Sequence, residues 1–85
     1  MYTVVFTKQA DKTLKRLPRQ TAKLIAEKIQ LLAEDPYQPN PNVTKLQNRE
    51  GYRLRMGDWR IIYEIINNEL VIVVLKIGPR GSVYE

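Results

Sequence analysis

The chain has 85 residues, 14 Lys and Arg against 9 Asp and Glu, a formal net charge of +5, and neither cysteine nor histidine. That length is one domain with a thin two-layer core. The missing residue types exclude disulfide frameworks, thiolate nucleophiles, cysteine-based metal sites and histidine acid–base chemistry, while the basic balance favours a polyanionic partner.

The opening "MYTVVFTKQADK" is too short and too polar for a signal peptide. Its "YTVVF" reads as a β-branched strand. Thr7 is a helix N-cap for "KQADKTLKRL", where Ala10, Leu14 and Leu17 recur at helical spacing. Pro18 ends that helix and opens the next at its first position. In "RQTAKLIAEKIQLLAED" (residues 19 to 35), Ala22, Ile25, Ala26, Ile29 and Leu32 form an apolar stripe that Leu24 and Leu31 widen. The two segments form a helical hairpin whose outer side carries Lys8, Lys12, Lys15, Lys23 and Lys28.

"DPYQPNPN" (residues 35 to 42) is a loop, because Pro36, Pro39 and Pro41 remove backbone donors. "VTKL" is a short edge strand, followed by the strands "GYRLRM", "DWRIIYEII" and "ELVIVVLKI" and the tail "GPRGSVYE". The apolar run "LVIVVL" is far too short to span a bilayer, so no membrane association is expected, and the cysteine-free composition suits the cytoplasm. The expected fold class is α+β. An N-terminal strand and a helical hairpin pack on one face of a mostly antiparallel, twisted four- to five-stranded sheet, in the order β-α-α-β-β-β-β.

Gly57-Asp58 has the chemistry of a two-residue type II′ hairpin turn. The register it dictates pairs Met56 with Trp59, Arg55 with Arg60, Leu54 with Ile61 and Arg53 with Ile62. Alternation then sends Tyr52, Leu54, Met56, Trp59, Ile61 and Tyr63 to the helices, and Arg53, Arg55 and Arg60 to the other face. Asn67-Asn68 offers a second two-residue turn, pairing Ile62 with Val73 and Arg60 with Leu75. The last strand would bring Arg80 and Tyr84 to the same end of the sheet. Like charges placed opposite each other destabilise a sheet, and arginines converging on one face form a phosphate clamp. The bland alternative is a solvated face, partly neutralised by Glu64 or Glu69.

"KL…GYRLRMGDWRIIYEI…LVIVVLKIGPRGSVY" resembles the RelE/ParE superfamily of toxin–antitoxin toxins along the whole chain, and within it the RelE-type ribosome-dependent mRNA endonucleases. The resemblance implies a translation-inhibiting toxin that cuts mRNA in the ribosomal A site, with 16S rRNA and 30S contacts. It also implies silencing by a cognate antitoxin in a hetero-oligomer. It points to Arg55, Arg60, Arg80 and Tyr84 for catalysis and to Arg53 and Arg55 for RNA binding. Lys45 and Lys76 are further RNA-binding candidates, and no metal and no cofactor are expected. RNA can supply its own 2′-hydroxyl as nucleophile. Arg60 and Arg80 would then meet transition-state charge, and Arg55 the scissile phosphate. Arg53 would hold a neighbouring phosphate or the nucleotide. Tyr84 would transfer a proton or stack on a base.

Two departures accompany the resemblance. Arg53 and Arg55 stand where several cleaving members carry lysines, and an arginine cannot serve as a base. Pro79 and Gly81 replace the histidine and second arginine of the usual "GHRR" ending. Three other readings stand beside it: a gyrase-directed toxin of the ParE type, which shares the framework but lacks the basic–tyrosine set, a non-enzymatic nucleic-acid binder, and a degenerate toxin kept as an interaction module.

Overall fold

A computed structural model describes residues 1–79 and 81. In chain order the elements are β1 (Thr3–Phe6), α1 (Lys8–Arg16), α2 (Arg19–Glu34), β2 (Val43–Lys45), β3 (Tyr52–Met56), β4 (Trp59–Ile66), a 3-10 turn (Asn67–Glu69) and β5 (Val71–Pro79). The strands form one sheet in the order β1-β5-β4-β3-β2. β1 runs parallel to β5, and every other pairing is antiparallel. The architecture is the α+β arrangement that the sequence implies. Among the described residues, no helix is long and apolar enough to cross a membrane.

Both helices lie on one face. Ala10 from α1 and Ile25, Ile29, Leu32 and Ala33 from α2 pack against Leu54, Ile61, Tyr63, Ile72, Val74 and Ile77 of the sheet. Each fully buried aliphatic side chain contributes about 1.5–3 kcal/mol, so this layer dominates stability. The apolar stripe of α2 is narrower than its sequence suggests. Leu24, Ala26 and Leu31 face solvent, and Ala33 takes a buried place instead. Four layer-facing positions are enough for a single helix face, and the others have no element above them. Pro18 occupies the N-cap of α2 rather than its first helical position, with extended backbone.

The β3–β4 hairpin has the expected register, from Met56 opposite Trp59 to Tyr52 opposite Tyr63. Gly57 takes φ 57, and Asp58 has no positive φ, which is the type II′ pattern. At the other end of β3, Gly51 is required by close approach. Its φ is 119, and a Cβ there would meet the Tyr63 carbonyl oxygen at 2.9 Å.

The β4–β5 connection departs from the two-residue turn expected at Asn67-Asn68. The chain spends residues 67 to 70 on the reversal, with Leu70 in the left-handed region at φ 55 and ψ 48. Distant bonds hold this conformation. Tyr2 and Tyr37 each donate a hydroxyl hydrogen bond to Asn67 Oδ1 at 2.9 Å, and the Leu70 carbonyl accepts from the Thr3 N–H at 2.8 Å. Beyond the turn, Tyr63 pairs with Val74 but Ile62 with Lys76. Leu75 is thus a bulge residue. Arg60 sits opposite Gly78, not Leu75, and Ile62 opposite Lys76, not Val73.

The bulge is tied to α1 through one side chain. The Thr7 hydroxyl donates to the Leu75 carbonyl at 2.6 Å and accepts from the Ala10 N–H at 3.2 Å. Thr7→Ala should therefore remove a helix cap and a tertiary bond together, lowering stability by about 1–2 kcal/mol. Thr7→Ser should retain most of it. Urea unfolding midpoints of the three proteins test this.

Candidate nucleic-acid interface

The sheet face opposite the helices is built in rows across β3, β4 and β5. One row runs Arg53, Ile62, Lys76, and the next runs Arg55, Arg60, Gly78. Residues two apart along a strand are roughly 7 Å apart on one face, so a polyanion laid along β3 meets Arg53 and Arg55 in succession. Glycine at position 78 leaves Arg60 without a side chain on its β5 flank.

The arginines are held, not loosely displayed. Arg55 is exposed, and its Nη2 donates to Asn42 Oδ1 at 3.3 Å while its backbone N–H donates to the Asn42 carbonyl at 2.8 Å. Arg60 is half-buried, and its Nη1 donates to the Gly57 and Trp59 carbonyls at 3.0 Å each. These carbonyls fix the guanidinium over the turn and leave its remaining N–H groups for an anion. Arg53 is half-buried.

Between the cations lies an apolar floor. Ile62 is buried on this open face by Leu46 and by the bulge residue Leu75. Glu64, on the same face by alternation, engages Arg49 at 3.8 Å. It therefore does not act as the dedicated counter-ion of the Arg55–Arg60 pair.

The expected site residues divide into three groups. Arg53, Arg55, Arg60 and Lys76 share the open face. Lys45 does not: its cross-strand partner is Tyr52, which places it on the helix-side face of the edge strand, exposed to solvent. Arg80 and Tyr84 lie outside the described residues. β5 is described to Pro79, whose partner is Trp59, so the strand reaches the end of the sheet that carries Arg55 and Arg60. Among the described residues, no group of three or more Asp, Glu, His or Cys converges to hold a metal ion.

Two contributors escape a reading of the sequence. Asn42 looks like one more residue of the proline-rich loop, yet continuing β2 by one residue puts it beside Arg55. Leu75 is hidden in a run whose unbroken apolarity gives no alternation to read. The helix-side face has its own polar anomaly. Tyr63 stacks on Tyr52 at 5.6 Å between ring centroids, its hydroxyl is buried with no hydrogen-bond partner among the described residues, and burial pushes its pKa up to about 12.

Residues 4–84 match the family described as "ParE toxin of type II toxin-antitoxin system, parDE". A chain in the archaeal RelE–RelB complex from Pyrococcus horikoshii OT3 is 35% identical, covers 96% of this chain and 98% of its own, and superposes with a TM-score of 0.75. A chain of the RelBE2 toxin–antitoxin complex from Mycobacterium tuberculosis is 26% identical over 93% of this chain and 98% of its own, with a TM-score of 0.78. The intact RelBE complex from E. coli offers a likeness of fold alone, at 21% identity, a TM-score of 0.81, and coverage of 95% of this chain and 99% of that one.

Two outcomes follow from this geometry. Relieving the cross-strand repulsion with Arg55→Gln should leave stability unchanged or raise it by up to about 1 kcal/mol. Added phosphate should raise the melting temperature of the wild type more than that of the variant, as thermal melts with phosphate against chloride at equal ionic strength would show. For Tyr63, the folded protein keeps the phenol proton more tightly than the unfolded chain, so its contribution is complete below pH 10 and lost as pH rises towards 12. Relative to Tyr63→Phe, wild-type stability should fall by up to about 1.4 kcal/mol per pH unit across that window, measured by urea unfolding of both proteins.

Proposed function

Given that the chain belongs to the ParE toxin family of type II toxin–antitoxin systems, within the RelE/ParE superfamily, we propose that it is a ribosome-dependent mRNA endonuclease that inhibits translation. The observation that carries this reading is the Arg55–Arg60 opposition, with Arg53 and Lys76 in the adjoining row of one open sheet face. Such a cluster costs folding energy and gains it back from a phosphate backbone.

The chemistry needs no group beyond the RNA and the chain. The 2′-oxygen attacks the adjacent phosphorus, and the bond from phosphorus to the 5′-oxygen breaks. The products are a 2′,3′-cyclic phosphate and a 5′-hydroxyl. One proton leaves the 2′-hydroxyl and one reaches the departing 5′-oxygen. Arg55 binds the scissile phosphate, Arg53 a neighbouring phosphate or the nucleotide, and Lys76 the backbone beside it. Arg60, pre-aimed by two carbonyls, and Arg80 stabilise the added charge on phosphorus. Tyr84 moves a proton or stacks on a base. Lys45 meets backbone outside this face. With no histidine in the chain, acid–base power is weak, and orientation by the ribosome supplies part of the rate. The exposed lysines of α1 and α2 suit 16S rRNA and the 30S surface.

The partner in this reading is a cognate antitoxin, in keeping with the RelE–RelB complexes that similar chains form. An acidic or amphipathic segment would complement the basic face and silence the toxin in a hetero-oligomer. The match to a ParE family over residues 4–84 favours a second reading, a toxin directed at gyrase.

Expression of the toxin with mapping of mRNA 5′ ends tests the proposal. Cutting should fall roughly 100- to 10,000-fold in Tyr84→Phe and in Arg60→Ala. Wild-type cutting by both variants would reject the assignment. Inhibition of gyrase supercoiling without mRNA cuts would replace it with the second reading.

A further inference from the structure

A cavity of about 250 Å³ opens beside Arg55, between the C-terminal end of α2, the proline-rich loop and β3. We infer that it is a nucleobase subsite, which receives one unpaired base of the RNA whose backbone lies on the arginine face. The inference rests on the proposed RNA-binding face and adds to it a place where sequence is read.

Four observations carry it. First, the cavity reaches the edge of that face: Arg55 lines it and stands opposite Arg60, while Leu54 and Met56 line it from the helix side of the same strand. A base next to a phosphate held by Arg55 would enter by turning around this edge of the sheet. Second, the size suits a single ring system. Sites for drug-sized ligands run to roughly 300–1,000 Å³, and this one is smaller. Third, its walls combine apolar surface with amides. Leu31 and Met56 offer apolar contact, and Gln38, Asn40 and Asn42 offer carboxamides. A carboxamide presents a donor and an acceptor in one plane, which matches a base edge. Unpaired bases are recognised by this mixture of apolar contact and edge hydrogen bonds.

Fourth, the amide wall is set in advance. Asn40 Oδ1 accepts from the Asn42 N–H at 2.9 Å, and Asn42 Oδ1 accepts from Arg55, which leaves the Asn42 amide N–H groups for a base acceptor. Lys28 joins Arg55 as a second cation lining the opening. Asp35 also lines it. A carboxylate there can accept from a base amino group, a contact that a peptide carboxylate cannot offer. Leu31 is 57% exposed despite its size, as expected of a residue whose contact partner arrives from outside the chain.

The test uses the full chain and RNA trinucleotides with every 2′-oxygen methylated, so that none can be cut. Each is compared with three abasic versions, one per position. In the intact case the side-chain amide signals of Gln38, Asn40 and Asn42 should shift in NMR spectra. Loss of the base at one position should weaken binding about tenfold, or roughly 1.4 kcal/mol. Leu31→Trp, at an exposed position where folding tolerates the change, should fill the opening and abolish the difference between intact and abasic RNA. Equal binding of intact and all abasic RNAs overturns the inference. So does an amide response to an acidic peptide but not to RNA, or failure to bind any trinucleotide. Because the probes are uncleavable, base dependence without mRNA cutting would keep the subsite and reject only the nuclease reading.

Discussion

The irregularity at Leu75 governs how the two layers and the open face fit together. One extra residue in β5 changes its register with β4, so that Lys76 meets Ile62 and Gly78 meets Arg60. The displaced Leu75 side chain closes over Ile62 with Leu46. Its carbonyl would be left without a ladder partner, and the Thr7 hydroxyl takes it. The same oxygen caps α1 through the Ala10 N–H. A further bond from the Ile77 N–H to Gln9 Oε1, at 3.4 Å, fastens the first turn of α1 just past the bulge. Helix docking and the layout of the basic face are therefore two results of one local distortion. Bulges near functional surfaces commonly re-aim side chains in this way.

The basic face sets stability against binding. Among the described residues, the helix-side core buries no polar side-chain group apart from the Tyr63 hydroxyl. The open side is the reverse: arginines face each other across β3 and β4 over a small apolar floor. Their guanidinium groups are steadied by neutral acceptors, namely Asn42 for Arg55 and two carbonyls for Arg60. Neutral acceptors orient a cation without cancelling its charge. A carboxylate in the same place would give more stability and less field. Glu64 illustrates the difference, because it lies on this face but engages Arg49 at the far end of β3.

Local chemistry was readable in the sequence, and non-local chemistry was not. The register of residues 51 to 66 followed from Gly57-Asp58 alone, because a two-residue turn fixes which residues oppose each other. The placement of Arg53, Arg55 and Arg60 on one face followed with it. Thr7 as a cap followed from its side chain and the helix after it. The reversal at Asn67 did not, since its form depends on Tyr2 and Tyr37, which are distant in the chain. Nor did the bulge, since every residue around it is apolar. Lys45 carries the right charge for an RNA contact, but a three-residue strand gives too little pattern to reveal its face. The widened stripe of α2 misled because hydrophobicity marks what is able to be covered, not what is covered.

The strand order carries a consequence for synthesis. β5 is the last made of the described strands, yet it lies between β1 and β4 and pairs with both. Thr3 finds its partner only at Val71. Before residues 71 to 79 are made, β1 has no partner strand, and α1 and α2 have only the short β2–β4 meander to cover. Ordering elements far apart in the chain is also intrinsically slow. The layered core, and the basic face on its reverse, therefore come into being only once synthesis has passed β5, at Val71–Pro79.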